Sequence, residues 1–309
     1  MDFYSRQALN RRRTRLLLAC FLAFFLSLGL GIDIVWNGLL TPGGVPVPLA
    51  TLVTSAVASV MSLAGYYAGG RMVMDSLHAR PLDQNNPAHR QLFNVATEIA
   101  LASGLPQPRI YLISDPAPNA LATGRDPQHA MLGVTQGLLN LLDREEMQGV
   151  IAHEMGHVGN RDTLTMTLVA VLFGAAVMLA DWARRVLYFG GNRRRGNLLV
   201  FVLVLLLVAV TPALSRILAM AVSRQREYLA DATAVEFTRN PLGLASALEK
   251  IGAATSPLRA ATQGTAHLFI SNPLHRAVDQ RQGAVADFLS THPPLAQRIA
   301  ILRAMAHAG

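Results

Sequence analysis

The sequence has little charge, one lysine and one cysteine. Only 15% of its 309 residues are Asp, Glu, Lys or Arg. With a mean hydropathy of +0.32, that is too apolar for an ordinary soluble protein. The single cysteine, Cys20, excludes an intramolecular disulfide. Leu17-Leu18-Ala19-Cys20 has the outline of a lipoprotein cleavage box, but only Leu16 to Ala19 precede it as an apolar run, and the run continues past it. Lys250 is the only lysine, so arginine carries almost all of the basic charge behind the net +8. No recognition module and no interleaved aromatics accompany the arginines, which excludes nucleic acid as a partner. There is no internal repeat and no low-complexity segment.

What is present is a set of apolar runs. Leu16 to Trp36 carries no charge before Asp33 and, as a helix, would span about 31 Å, enough to cross a bilayer. A Gly/Pro-rich loop separates it from a second run, Leu49 to Tyr67. Arg11, Arg12, Arg13 and Arg15 before the pair and Arg71 after it place both outer ends in the cytoplasm. Leu164 to Ala180 and Leu198 to Ser215 are a third and a fourth run, at the short end of the spanning range. Their connector carries Arg184, Arg185, Arg193, Arg194 and Arg195, against the positive-inside tendency if both runs cross. Arginines bordering apolar runs point to anionic lipid headgroups. The expected division is a membrane hairpin at 1–70 and a second unit at 71–309, interrupted by an apolar hairpin at about 164–215.

Between the pairs of runs the pattern changes. Asp75 to Asn86 is polar and broken by proline. Pro87 to Ser103 has apolar residues at helical spacing and is closed by Gly104. Arg109 to Ile113 and Ala130 to Thr135 read as strands, Asn119 to Gly124 as a short extended piece, and Gln136 to Leu142 as helical. After the fourth run, Ala219 to Phe237 and Pro241 to Ala254 read as helices, and Thr291-His292-Pro293-Pro294 starts a last one. The expected fold is α+β and mostly helical, with a small sheet and four apolar membrane segments.

The chemistry centres on His153-Glu154-Met155-Gly156-His157, an H-E-x-x-H stretch inside a helix from Asp143 to Gly159. Residues four apart lie on one helix face, so both imidazoles can address a single ion. Glu154 can reach a water on that ion without being a ligand, which is the arrangement of a zinc hydrolase. Asp143 and Glu146 form a capping box, and the helix has a buried face in Met147, Val150, Ile151, Met155 and Val158. A hydrolytic zinc usually has a third protein ligand. Glu227, His292, Glu236 and Glu98 are the candidates. Glu227 is best placed, because Asp231 one turn later could orient an imidazole. A solvated helix face pairing Glu227 and Asp231 with Arg224 and Arg226 is the bland alternative.

Four stretches in order resemble a known family: Asn119-Ala120-Leu121-Ala122-Thr123-Gly124, His153 to His157, Ser223-Arg224-Gln225-Arg226-Glu227-Tyr228-Leu229-Ala230-Asp231, and Thr291-His292-Pro293-Pro294. The chain is similar to the HtpX-type membrane zinc endopeptidases, relatives of the CAAX prenyl proteases within the gluzincins. The resemblance implies one zinc ion held by His153, His157 and Glu227, with Glu154 as general base and Asp231 behind His153. It implies that Asn119 and Ala120 lie on an edge strand that binds substrate backbone, and that His292 approaches the reacting centre. It further implies misfolded or damaged membrane proteins as substrates, a bacterial inner-membrane location and a cytoplasmic active site. Gln297, before Arg298, departs from the family, where an acid is common. A zinc-binding scaffold without proteolysis and an intramembrane protease are the alternatives. The charges at Asp143 to Glu146 speak against the second, and an intact Glu154 against the first.

Overall fold

The structure, a computed structural model, describes residues 3–35, 47–172, 174, 224–254, 256–262, 264–271 and 293–307. Two long helices open the chain, α1 (Phe3–Val35) and α2 (Leu49–Ser76). Both are long and apolar enough to cross a membrane, and only 33% and 17% of their most apolar windows are buried. Their large apolar side chains, among them Leu16, Leu26, Leu52, Val53 and Val60, face outward. Such a surface is costly in water and neutral in lipid. The two helices reach further than the apolar runs alone suggested. Arginine is a good helix former, so α1 extends back through Arg11 to Arg15 and α2 runs on past Arg71.

Inside the pair, Leu17, Phe21, Phe25 and Leu28 of α1 and Ala58 of α2 pack with Leu168, Val169 and Leu172, and small or polar groups set the closest approach. At Gly29 an added Cβ would fall 2.2 Å from Thr54 Oγ1 and 2.5 Å from the Thr51 Cα, so only glycine permits this approach. Asp33 is fully buried and accepts hydrogen bonds from the Ala50 and Thr51 N–H groups at 3.0 and 2.7 Å and from the Thr51 hydroxyl at 2.7 Å. It thus caps the start of α2, where Pro48 offers no side-chain acceptor.

The remaining elements form a mostly helical body around a small mixed sheet. Its strands are β1 (Arg80–Pro81), β2 (Arg109–Ile113), β3 (Ala120–Thr123) and β4 (Met131–Thr135), in the order β1-β2-β4-β3. β2 and β4 are parallel, and the outer pairs are antiparallel. β1 lies in the stretch that sequence alone reads as broken polar chain. Two residues at a sheet edge are too short for a periodic signal, and an edge tolerates Pro81. α3 (Arg90–Ser103) buries Leu92, Val95, Ala96, Ile99 and Ala100 and ends at Gly104, whose φ of 67° is left-handed. α4 (Gln136–Leu141) leads into α5 (Arg144–Gly159), which carries both histidines and has the expected Asp143/Glu146 capping box.

α6 (Thr163–Leu172) begins the third apolar run. The rest of that run, and the fourth run at Leu198–Ser215, lie outside the described residues. α7 (Arg224–Thr238), α8 (Pro241–Ala253) and α9 (Leu295–His307) complete the body. The core gathers residues of α3, the sheet, α5, α8 and α9 into one apolar cluster. α5 packs so closely on α8 that a Cβ at Gly149 would sit 2.7 Å from the Leu244 backbone. The sole lysine strengthens that contact: Lys250 of α8 reaches the buried Glu146 at 2.6 Å.

Candidate metal centre

α5 and α7 cross at the centre of this body, and their polar faces meet there. His153, Glu154 and His157 of α5 and Glu227 and Asp231 of α7 are all buried. A solvated α7 face is therefore ruled out. His153 Nε2 and His157 Nε2 are 3.2 Å apart. Glu227 Oε1 lies 3.6 Å from His157 Nε2, and its Oε2 lies 3.8 Å from His153 Nε2. Among the described residues these three form the one group of side chains able to share a metal ion. Of the other candidates, Glu236 is exposed and Glu98 pairs on α3 with Arg144 and Gln148. His292 lies outside the described residues.

Each imidazole has a carboxylate behind it. His153 Nδ1 meets Asp231 Oδ1 at 2.9 Å, and His157 Nδ1 meets Asp162 Oδ2 at 3.1 Å. With each Nδ1–H directed at its carboxylate, both Nε2 lone pairs point to one spot beside the Glu227 carboxylate. Such a convergence needs a cation. Three donors sharing a tetrahedral zinc at about 2.0–2.2 Å would be about 3.3–3.6 Å apart, and the observed separations bracket that range. Three further carboxylates, Asp162, Glu227 and Asp231, are buried beside Glu154 with two guanidiniums, Arg226 and Arg298. Burial lowers the affinity of His157 for a proton, yet Asp162 and Glu227 outweigh it and raise the group to about 9.

Glu154 stands apart from the donors. Burial pushes its carboxyl up to about 8 and Glu227 adds to this, while His157, Arg298 and the Ala122 N–H pull it back. Its Oε1 has no hydrogen-bond partner among the described residues, so one oxygen is available to a water.

Two residues escaped the sequence reading. Asp162 follows His157 by five positions, and nothing local marks it. Arg298 could have been noticed: Leu295, Arg298, Leu302 and Met305 share one helix stripe, so an arginine sits where an apolar residue belongs. It is fully buried and donates to both Asp231 oxygens at 2.8 and 2.6 Å. Burial opposes ionisation of Asp231, but Arg298 and His153 hold its carboxyl down at about 2.

β3 is the last strand of the sheet, with Asn119 directly before it. Its outer side is already engaged. The Ile270 N–H donates to the Ala120 carbonyl at 3.0 Å, Leu121 bridges Phe269, and the Asn119 amide donates to the Ser271 carbonyl at 2.9 Å. The Ala120 N–H is taken by the Asn119 side chain at 3.1 Å.

Comparison with known proteins agrees with this geometry. Residues 86–306 match Peptidase family M48. A protein named Protease HtpX homolog from Caldanaerobacter subterraneus subsp. tengcongensis is 40% identical over 309 residues, 98% of this chain and 97% of the relative. Its namesake from Tropheryma whipplei (strain Twist) is 44% identical over 242 residues, 78% and 80% of the two chains. The crystal structure of S. mikatae Ste24p is similar in fold, with a TM-score of 0.51 at 18% identity over 96% of this chain and 67% of that one. With a helix-borne H-E-x-x-H site and a family match over most of its length, this metallopeptidase, a hydrolase of peptide bonds, belongs to peptidase family M48.

Proposed function

We propose that the chain is a zinc endopeptidase of the bacterial inner membrane that cleaves misfolded or damaged membrane proteins on the cytoplasmic side. The observation that carries the reading is the convergence of His153 Nε2, His157 Nε2 and the Glu227 carboxylate on one buried point. In this proposal those three residues hold the ion. Asp231 and Asp162 fix the two imidazoles, and Arg298 fixes Asp231. Zinc, when bound, would supply Lewis acidity to water and to the scissile carbonyl. Glu154 takes the proton of the attacking water and passes it to the leaving amine. Its buried, partly unpartnered carboxylate suits a group that must both accept and return a proton near neutral pH. His292 is assigned to the developing oxyanion on the resemblance alone.

Substrate backbone pairs with β3 at Ala120 and with Asn119 just before it, which makes recognition largely independent of sequence. Because Phe269 to Ser271 hold that edge, they must give way to a bound peptide. The cytoplasmic orientation rests on the arginines at the outer ends of α1 and α2. Glu154→Gln is the decisive variant. Casein cleavage should vanish while zinc, measured by metal analysis, stays at one per chain. Continued turnover by the zinc-loaded variant would remove Glu154 from the mechanism, and no cleavage by the wild type would restore the scaffold alternative.

A further inference from the structure

An open pocket of ≈ 580 Å³ lies where the start of α1, the end of α2, the turn after β3 and the turn after α5 meet. Arg11 and Arg15 of α1, Arg125 after β3 and Arg161 after α5 all line it, against a single carboxylate, Asp126. That carboxylate is already engaged. Oδ1 meets His129 Nδ1 at 2.6 Å, and Oδ2 accepts from Arg125 Nε at 3.3 Å. Among the described residues no carboxylate pairs with Arg11, Arg15 or Arg161. Four guanidiniums from three separate segments thus line one space, and an anion placed among them would lower their mutual repulsion. Arg161 adopts a φ of 56°, a left-handed conformation that is uncommon for arginine and is held by the surrounding structure.

The surroundings fit a lipid–water boundary. The Arg125 guanidinium lies 5.4 Å over the Tyr67 ring, and Tyr67 packs edge-on against Tyr66, which lines the pocket. Tyrosines with arginines occupy the headgroup level of membrane proteins. The pocket also has an apolar side, Leu18 and Leu164, that continues onto the outward face of α1. Its frame is fixed from behind: the Asn10 amide donates to the Asn160 carbonyl at 3.0 Å, and the Thr14 and Thr165 hydroxyls are 2.7 Å apart.

We propose that this pocket binds a phosphate group, that of an anionic phospholipid whose acyl chains lie along Leu18 and Leu164. Guanidinium forks match phosphate oxygens in charge and in geometry. The bound headgroup would tie α1 to the residues that directly follow β3 and the histidine helix. The inference stands on the pocket alone and is independent of the zinc reading.

The test uses the full chain in nanodiscs of phosphatidylcholine with a minor fraction of phosphatidylglycerol, released into native mass spectrometry. Wild type should retain phosphatidylglycerol in preference to phosphatidylcholine. Arg15→Gln/Arg161→Gln should lower that retention by about tenfold or more. Arg15→Lys/Arg161→Lys, which keeps the charge, separates loss of the site from loss of the fold and should retain lipid. Arg80→Gln/Arg109→Gln removes two exposed arginines elsewhere and should change nothing. Equal losses in the two glutamine pairs would mean diffuse attraction and overturn the site. A parallel titration with inorganic phosphate, read by thermal stability in neutral detergent, distinguishes the source of the anion. Stabilisation that needs Arg15 and Arg161, without phosphatidylglycerol preference, would keep the phosphate site and overturn the lipid. No response to either probe would overturn both.

Discussion

The membrane hairpin and the peptidase body are built from the same kinds of residue placed in opposite ways. In α1 and α2 many leucines and valines face outward, while Asp33, Thr14, Asn10 and Gly29 lie inside with Leu17, Phe21, Phe25 and Leu28. In the body the apolar residues of α3, α5, α8 and α9 are inside, and buried histidines, carboxylates and arginines lie among them. The hairpin hides polar groups because lipid cannot hydrogen-bond them. The body hides them for a different reason. Burial strengthens the electrostatic field that gathers histidines and carboxylates around a cation. Polar burial is thus a requirement of the solvent in one region and of the chemistry in the other.

The largest test of that contrast is Glu227→Ala. It should abolish zinc binding and peptidase activity, because two imidazoles remain where three donors are needed, and it should leave membrane integration unchanged. Zinc binding at wild-type affinity, measured by competition with a chelator, would place the third ligand elsewhere. The next test compares two exposed leucines. Leu26 of α1 and Leu101 of α3 are 50% and 78% exposed. If their solvents differ as argued, Leu26→Lys costs about 2.5–3.5 kcal/mol of membrane integration. Leu101→Lys should stay within about 0.5 kcal/mol. Resistance to alkaline extraction reads the first and thermal denaturation the second, and similar behaviour of the two variants would break the comparison.

Smaller effects sharpen it. Asp231→Asn and Asp162→Asn should each weaken zinc affinity by about 10–100-fold, as expected for partners that orient ligands. A chelator titration in which Asp162→Asn matches wild type would mean that His157 needs no carboxylate. The smallest effect belongs to the hairpin. Asp33→Ala removes the acceptor at the start of α2 and should cost about 1–2 kcal/mol. It should show as easier proteolysis of the loop before α2, with zinc content unchanged. A parallel loss of zinc would mean that the two regions are coupled more tightly than their packing implies.

The degree to which each region was legible in the sequence follows the same division. Asp143, Glu146, His153 and His157 all lie on one helix, and a helix repeats every 3.6 residues, so spacing alone brought them together. The strands β2 and β4 and the boundary of α3 at Gly104 were legible for similar local reasons. The two-residue β1 was not, because a strand that short has no period. Glu227 was the best-placed third ligand on pattern and was implied by the resemblance, but its spacing to Asp231 fitted a ligand and a surface salt bridge equally well. Asp162 was invisible as part of the site, and Arg298 was marked only as a charge on an apolar stripe, since no local pattern tells which side chain a distant helix or turn will meet.

The sequence by itself determined the apolar runs and the histidine helix with its cap and with Glu154 beside the first histidine, because each depends on neighbours within a few turns of chain. Only the tertiary structure decided the remainder. It buried Glu227 beside the two histidines, set a carboxylate behind each ring and placed Arg298 on Asp231. It also laid residues 269–271 along β3 and drew four arginines around one pocket. The physical reason is that charge acts through space: a field at one buried point sums over segments that are more than a hundred residues apart in the chain.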